Sequence, residues 1–340
     1  MELKTLHRND TDIFVGFAES RIGGRPENQD SYGFKETKLG FLLTVCDGMG
    51  GGPGGKTAST IAVNEIIAGV EDSSEDEEVV NILIKAVRRA NMAILEAGNQ
   101  TPALQGMGST ATVLLLSEKS AFIAHVGDSR VYQICGSKKV FRTFDHSLVF
   151  DLVKQNVITE EQARLSAQSN VITRALGMKP DLEVDVVERP YYKGDRFVLC
   201  SDGIHGTMPE KELLKLISNR KTALGAVVDD IATYVDNLGR SNGGNHDNLT
   251  LAIIETKKNS KLRPTMSKQV RNTLLVLSLL CLISIMGNIW QATNSSKSDV
   301  AKVDSTTIKD QQDSILKQNK KIKQLESIVK SLKNKNNSKQ

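Results

Sequence analysis

Residues 1–256 contain seven short apolar runs that are rich in β-branched residues, and none is longer than seven positions. Gly, Asp, Ser or Asn bounds each run, which is the pattern of β-strands separated by turns. The runs occupy 12–18, 40–46, 110–116, 121–126, 129–134, 195–200 and 249–254. Because they cluster and do not alternate regularly with helices, they predict antiparallel sheets and not a repeated strand–helix–strand unit.

Apolar residues at helical spacing lie between these runs. The stretches 55–70, 79–98, 208–218 and 223–238 repeat apolar residues every three or four positions, as one face of an α-helix does. Two long early helices and two later ones, arranged around clustered strands, predict a single α+β domain over 1–256.

The composition is close to that of an average soluble protein. Of 340 residues, 39% are hydrophobic and 25% are charged, so a sizeable core can form. Up to about residue 256 the chain is acidic, although its total net charge is +4, and this argues against nucleic acid as a partner. The four cysteines are too few and too scattered for a disulfide framework or a zinc site, and they fit a reducing compartment.

Residues 273–290 run for eighteen positions without a charge. A helix of that length covers about 27 Å, close to the ~30 Å hydrocarbon core of a membrane, so the segment is predicted to be a single transmembrane helix. A buried core helix is the alternative, but such a helix usually has a polar face. The basic linker 257–272 holds six Lys or Arg, whereas three Lys follow the segment within twenty residues. This bias predicts that the preceding domain faces the cytoplasm.

The tail after this segment has two parts. Residues 291–307 are polar and small, as flexible linkers are. Residues 308–333 contain apolar residues at heptad spacing, namely Ile308, Ile315, Ile322 and Val329, with Leu325 and Leu332. This spacing predicts a short two-stranded coiled coil, and hence a homodimer through the tail. Gln311 and Gln318 weaken its first half, so a lone amphipathic helix and disorder stay open as alternatives.

Five aspartates stand at the ends of the predicted strands, and several adjoin a glycine. They are Asp30, Asp47, Asp128, Asp202 and Asp247. If these carboxylates converge, they form the hard-oxygen site that Mg²⁺ or Mn²⁺ prefers. Two such ions lower the pKa of a bridging water and clamp the oxygens of an in-line phosphoryl displacement. A single Asp-Gly pair is more often a turn, so the predicted metal site depends on the five together.

Eight motifs in a fixed order make residues 10–256 resemble the bacterial PP2C (PPM) Ser/Thr protein phosphatases. They are Arg25 with Asn28-Gln29-Asp30, Asp47-Gly48-Met49-Gly50-Gly51, Gly108-Ser109-Thr110-Ala111, Val126-Gly127-Asp128-Ser129-Arg130, Asp145-His146-Ser147, Thr173-Arg174-Ala175-Leu176-Gly177, Ser201-Asp202-Gly203 and Asp247-Asn248-Leu249-Thr250. The resemblance implies an α-β-β-α sandwich of two antiparallel sheets flanked by helices, with the metals at one edge between the sheets.

The resemblance also implies roles for several of the motif residues. Asp47 would bridge two Mg²⁺ or Mn²⁺ ions, Asp202 and Asp247 would complete one site, and the Gly48 carbonyl would bind the other ion. Asp30 would act through metal-bound water.

Two further residues take implied roles in the same way. Asp128 would share a third, weaker ion with Asp202, and Arg25 would grip the substrate phosphate, which suits the two-pronged guanidinium. The implied activity is hydrolysis of phosphoserine and phosphothreonine on cytoplasmic proteins, opposing a cognate Ser/Thr kinase. The alternatives are a catalytically weak signalling or scaffold protein of the same fold, and a phosphatase for small phosphoesters.

Three positions depart from the family pattern. Gln29 stands where many members carry Glu, Met49 where some carry a His, and Lys56 where an acid is common. None of these departures removes a metal ligand. Residues 150–172 are polar and mixed, and they are expected to form the mobile flap that family members place beside the active site.

Four histidines are interpreted mainly as structural. His125 is expected to be a satisfied strand residue, and His146 is expected to support a helix over 148–156. His205 is expected to be a loop residue. For His246, a hydrogen bond to the carboxylate of Asp247 is the less favoured alternative.

Overall fold

The computed structural model describes residues 4–6, 13–50, 54–74, 76–262, 278, 280–288 and 305–337. The chain divides into two compact units, Met1–Pro264 and Thr265–Gln340. The predicted flexible linker, 291–307, lies largely outside the described residues.

The first unit contains two antiparallel sheets. The first sheet has the strand order β1-β2-β13-β12-β9-β10, and the second has the order β11-β8-β7-β4-β3. The strands of the first sheet are β1 (Lys4–Thr5), β2 (Phe14–Arg21), β9 (Arg130–Cys135), β10 (Lys138–Arg142), β12 (Arg196–Cys200) and β13 (Leu249–Thr256). Those of the second sheet are β3 (Ser31–Thr37), β4 (Gly40–Cys46), β7 (Ala111–Leu116), β8 (Ala121–Val126) and β11 (Asp185–Arg189). A small ribbon pairs β5 (Gly48–Met49) with β6 (Gly108–Ser109).

Helices cover the outer face of each sheet. The helices are α1 (Gly54–Glu71), α2 (Val79–Gln100), α3 (Leu148–Lys154), α4 (Glu160–Arg164), α5 (Asp202–His205), α6 (Glu210–Ile217) and α7 (Leu224–Ser241). One apolar cluster lies between α1, α2 and the second sheet, another lies between the two sheets, and a third joins the first sheet to α6 and α7. The predicted α-β-β-α sandwich is confirmed.

Strand β4 shows why the apolar runs are continuous. Leu42 belongs to the cluster under α1 and α2, whereas its neighbours Phe41 and Leu43 belong to the cluster between the sheets. Successive side chains of a strand point to opposite faces, and here both faces are covered. Burial of each such Leu or Phe side chain contributes about 1.5–3 kcal/mol to the stability of the fold. Both faces of the strand therefore favour apolar residues.

Different parts of the chain lie at the two opposite edges of the sandwich. Strands β4, β8 and β12 end, and β13 begins, at one edge of the sandwich. At the opposite edge the chain leaves β13 and continues through 257–262, where Leu262 donates its N–H to the carbonyl of Lys119 at 2.7 Å. The compact unit therefore extends beyond the predicted end at residue 256.

The second unit is described only in part. Residues 280–288 are helical, and their large apolar side chains are exposed. Within the described residues, no helix has both the length and the apolar character that a membrane crossing requires. Much of 273–290 lies outside those residues, so the transmembrane helix stays a prediction.

The tail of the chain contains a 33-residue helix, Ser305–Asn337, which includes the whole predicted heptad segment. Ile315, Ile322 and Leu325 of the heptad are exposed on it. Its pairing into a coiled coil stays a prediction.

Candidate active site

The five aspartates converge at the sheet edge where β4, β8 and β12 end. A cleft of about 400 Å³ opens there, and its lining includes Asp47, Gly48, Asp128, Asp202 and Asp247, with Arg25 at the rim. The fifth aspartate, Asp30, is only 2% exposed. Its carboxyl group lies close enough to those of Asp202 and Asp247 to be affected by their charges.

Burial and mutual repulsion make these carboxyl groups weak acids in the metal-free protein. Burial, followed by the charges of Asp30 and Asp202, raises the pKa of Asp47 well above its ordinary value. Burial also raises the pKa of Asp30 to about 7, and burial together with the charge of Asp247 raises the pKa of Asp202 to about 6. These carboxyl groups thus resist ionisation together, and a cation bound among them would stabilise their ionised forms and lower their pKa values.

Three carboxylate oxygens of this group have no hydrogen-bond partner among the residues that the structure describes. They are Oδ1 of Asp30, Asp128 and Asp202, and all three are buried. A buried, unpaired charged oxygen costs several kcal/mol unless a partner compensates it. Converging anionic oxygens of this kind are what Mg²⁺ and Mn²⁺ bind, so the residues present fit a divalent metal centre.

The backbone around Asp47 is fixed by the Gly-Ser-Thr motif of the sequence. The Asp47 N–H donates to Oγ1 of Thr110 at 2.8 Å, and its carbonyl accepts from the N–H of Thr110 at 2.8 Å. Oγ of Ser109 donates to the same carbonyl at 3.0 Å. A Cβ on Gly48 would lie 2.0 Å from the carbonyl oxygen of Gly55, so only glycine allows this close approach.

Asp30 is held from two sides. Oγ of Ser201 donates to Oδ2 of Asp30 at 2.7 Å. Lys56, one of the departures from the family pattern, donates from Nζ to the backbone carbonyl of Asp30 at 2.7 Å and to Oγ of Ser31 at 3.1 Å. The lysine therefore supports the backbone of Asp30 and leaves its carboxylate free of that contact.

Arg25 reaches the cleft through a close contact between two loops. Its Nη2 donates to Oδ2 of Asp247 at 3.0 Å, and both side chains are partly exposed at the rim. The N–H of Gly24 donates to the carbonyl of His246 at 3.0 Å. A Cβ on Gly24 would lie 1.9 Å from the carbonyl oxygen of Gly244, so a larger residue would separate the loops and move Arg25.

Asn248 joins the same two loops, and the sequence interpretation gave it no role. Its Oδ1 accepts from the N–H of Gln29 at 2.8 Å, and its Nδ2 donates to the carbonyls of Ile22 and Glu27. His246 contacts Asp236 of α7, with Nε2 2.8 Å from Oδ1. The favoured structural interpretation of His246 thus describes its contact better than the alternative of a bond to Asp247.

Two histidines hold the segment that carries Asp128. The N–H of Gly127 donates to Nδ1 of His146 at 3.0 Å, and the N–H of His146 donates to the carbonyl of Gly127 at 2.8 Å. His205 lies in α5 and not in a loop, and its Nε2 donates to the carbonyl of Asp128 at 3.0 Å. Burial lowers the pKa of His205 well below its ordinary value, so this ring is neutral.

His125, His146 and Asp185 form a separate group whose ligand atoms lie within 4.8 Å of one another. The surroundings argue against a cation there. Nδ1 of His146 already accepts from Gly127, and Nε2 faces both Asp185 and the guanidinium of Arg174, each at 3.1 Å. His125 contacts the carbonyl of Ser129 at 2.9 Å, as expected for a satisfied strand residue.

Residues 19–243 match the family model described as protein phosphatase 2C, and this match covers more than half of the chain. The chain belongs to the protein phosphatase 2C family. The serine/threonine phosphatase stp of Listeria monocytogenes is 31% identical over 243 residues, which cover 70% of this chain and 94% of that protein. The predicted enzyme class, a serine/threonine phosphatase, is thereby confirmed.

Two solved serine/threonine phosphatase structures share the fold. Serine/threonine phosphatase Stp1 from Staphylococcus aureus has a TM-score of 0.66 and 26% identity, covering 74% of this chain and 99% of that chain. The catalytic domain of PstP, solved in complex with two manganese ions, has a TM-score of 0.60 and 28% identity, covering 72% and 99%. The structure brings six of the seven predicted site residues to the lining of one cleft and places the seventh, Asp30, buried beside Asp202 and Asp247. The role of each residue stays a prediction.

Proposed function

We propose that this phosphatase hydrolyses phosphoserine and phosphothreonine on proteins with the help of two divalent ions, Mg²⁺ or Mn²⁺. The two ions would be held by Asp47, Gly48, Asp202 and Asp247. Asp30 would act through metal-bound water. The observation that carries the proposal is the convergence of five aspartates whose buried oxygens include three without a partner among the described residues.

Each residue of the cleft has a task that follows from its chemistry. When bound, the ions acidify water and neutralise phosphoryl charge. The guanidinium of Arg25 donates hydrogen bonds to two phosphate oxygens at once. An incoming phosphate therefore competes with Asp247 for that guanidinium. Asp128 adds a further carboxylate next to Asp202, and this supports a third, weaker ion. Met49 has no proton to give, so the proton for the leaving group must come from elsewhere.

The test is turnover of a phosphothreonine peptide by the purified protein with Mn²⁺. We expect Asp202→Ala and excess EDTA to abolish the activity, and we expect Asp181→Ala, which removes an exposed aspartate, to leave it unchanged. Turnover that persists in EDTA would refute the metal-dependent mechanism. A protein that is loaded with Mn²⁺ but inactive would instead indicate the scaffold alternative.

The substrate class needs its own comparison. A protein phosphatase should hydrolyse phosphopeptides with a higher kcat/KM than small phosphate esters, because the flanking residues add binding energy. Equal or higher kcat/KM on phosphorylated metabolites would favour a phosphatase for small phosphoesters.

We also propose that residues 273–290 anchor the protein in a membrane, with the phosphatase domain in the cytoplasm and the tail paired as a coiled coil. The uncharged segment, the basic residues before it and the exposed apolar side chains of 280–288 support the membrane anchor.

Three experiments test these proposals. Extraction with alkaline carbonate tests the anchor, and protease protection tests the orientation. Cross-linking of the full chain, compared with a variant carrying Ile322→Asn, tests the homodimer.

A further inference from the structure

Residues 148–172, here called the cleft flap, lie along one side of the aspartate cleft. The flap contains α3 and α4 and has its own small apolar cluster of Val149, Phe150 and Ala163. The three clusters of the sandwich are each far larger. An element with so little buried apolar surface has low local stability. Its position must therefore depend strongly on the polar contacts that tie it to the sandwich.

The strongest of these contacts is made by Arg142, the last residue of β10. Its side chain is only 4% exposed. Nη1 and Nη2 donate to the two carboxylate oxygens of Glu160, at 2.6 and 3.1 Å, and Nη1 also donates to Glu210 at 2.8 Å. Glu160 is the first residue of α4, in the flap, and Glu210 is the first residue of α6, in the sandwich. One buried guanidinium thus joins the two elements.

Phe150, in α3, provides a second contact between the flap and the arginines of the first sheet. Its ring lies 5.2 Å from the guanidinium of Arg142 and 4.9 Å from that of Arg130. Arg130 is fixed by Asp145, which accepts two hydrogen bonds at 2.8 and 2.7 Å. The arginine that holds α4 therefore also contacts α3, so both helices of the flap depend on it.

The flap borders the space in which a substrate chain would lie. A cavity of about 300 Å³ is lined both by Phe150 and Glu160 of the flap and by Arg25, Asp128 and Asp202 of the aspartate cleft. A shift of α4 would change the width of this cavity without moving the aspartates, which are held by the sheets and by α5. The contacts of the flap can therefore affect how the protein binds the substrate residues on either side of a phosphorylated side chain.

We infer that Arg142 is a positioning residue, and that its ion pair with Glu160 sets the position of the cleft flap for binding the peptide around the phosphoresidue. This inference rests on the proposed function. Arg142 does not touch the phosphate; it acts through α4 and Phe150. Loss of the ion pair should therefore weaken the binding of peptide substrates and leave the chemical step nearly unchanged.

The test compares Glu160→Gln with Asp151→Asn in the full chain. Both changes remove one flap carboxylate of similar exposure, 44% and 46% of the side chain, but the ion pair of Asp151 is with Lys154 and stays within α3. In metal-free protein, we expect Glu160→Gln to increase hydrogen exchange of the flap amides about tenfold, the effect of losing one charge-assisted contact. Asp151→Asn should change it less than twofold.

Kinetics with Mn²⁺ provide the second measurement. Glu160→Gln should raise KM for a phosphothreonine peptide about tenfold, with kcat and the hydrolysis of p-nitrophenyl phosphate changed less than about twofold. Arg142→Lys, which keeps the charge but loses the two-pronged contact, should shift KM in the same direction. Equal flap exchange in Glu160→Gln and Asp151→Asn, or a fall in kcat with KM unchanged, would overturn the inference. Lack of turnover by the wild type would refute the proposed function, and the exchange experiment would still test Arg142.

Discussion

Replacing Asp30 by Asn should stabilise the metal-free protein at neutral pH, although it removes a residue of the proposed metal centre. Asp30 is buried next to other carboxylates, and its folded-state pKa of about 7 lies far above the ordinary value of 3.8. Asn has the same shape and no charge. Its amide oxygen can still accept the hydrogen bond that Ser201 donates at 2.7 Å.

The pKa of Asp30 sets the size and the sign of the effect. Because the pKa is raised on folding, the folded state holds the proton more tightly than the unfolded state does. The stabilising contribution of protonated Asp30 to the metal-free wild type is thus fully present below about pH 4 and is lost as the pH rises through about 7. Each pKa unit corresponds to about 1.4 kcal/mol, so ionising Asp30 costs at most about 4 kcal/mol.

Thermal unfolding in EDTA at two pH values measures this cost. At pH 8, Asp30→Asn should raise Tm by about 10 °C, since 1 kcal/mol shifts Tm by roughly 2–4 °C in a domain of this size. At pH 4, the two proteins should differ by less than about 2 °C. The exposed Asp181→Asn serves as the control and should change Tm at neither pH. An equal Tm at pH 8, or an equally large gain at pH 4, would refute the reasoning.

Three further predictions concern the surroundings of the cleft. Arg25→Lys should lower kcat/KM for a phosphopeptide about tenfold in steady-state kinetics, because an ammonium cannot meet two phosphate oxygens at once. Asp236→Asn removes the carboxylate that holds His246 at 2.8 Å, next to Asp247, and should weaken Mn²⁺ binding about tenfold in calorimetric titration. Asp145→Asn leaves the buried guanidinium of Arg130 without its carboxylate partner and should cost about 3–5 kcal/mol in urea unfolding.

The strands that the sequence predicted correctly are those with both faces covered. All seven predicted runs lie within three residues of observed strands, because a strand between two apolar layers must be apolar at every position. Strands β3, β10 and β11 were missed, and so were the two-residue strands β1, β5 and β6. β3 and β11 are edge strands of the second sheet and β10 is one of the first, and their side chains are largely half-buried or exposed. Such positions accept polar residues, so no apolar run indicates them.

The sequence could indicate which aspartates belong to the candidate site, but not the contacts that hold them in place. Aspartates at strand ends can be recognised in a sequence, and neighbouring strands of a sheet end at a common edge. Asn248, by contrast, bonds to Gln29 and Glu27, more than two hundred positions away. His205 was expected in a loop, yet the chain forms a short helix after Asp202 that brings its ring to the carbonyl of Asp128. Contacts of this kind depend on the packing of loops, which local patterns do not specify.

The chain leaves the sandwich at the edge opposite the aspartate cleft, and this has a practical consequence for handling the enzyme. The eight residues of β13 span about 26 Å between the two edges. A fluorescent protein or surface tether joined after Leu262 would therefore leave the cleft open to bulky phosphoproteins. A shorter version that stops at Thr256 would lose the backbone hydrogen bonds that 257–262 make to Ile13, Glu118 and Lys119.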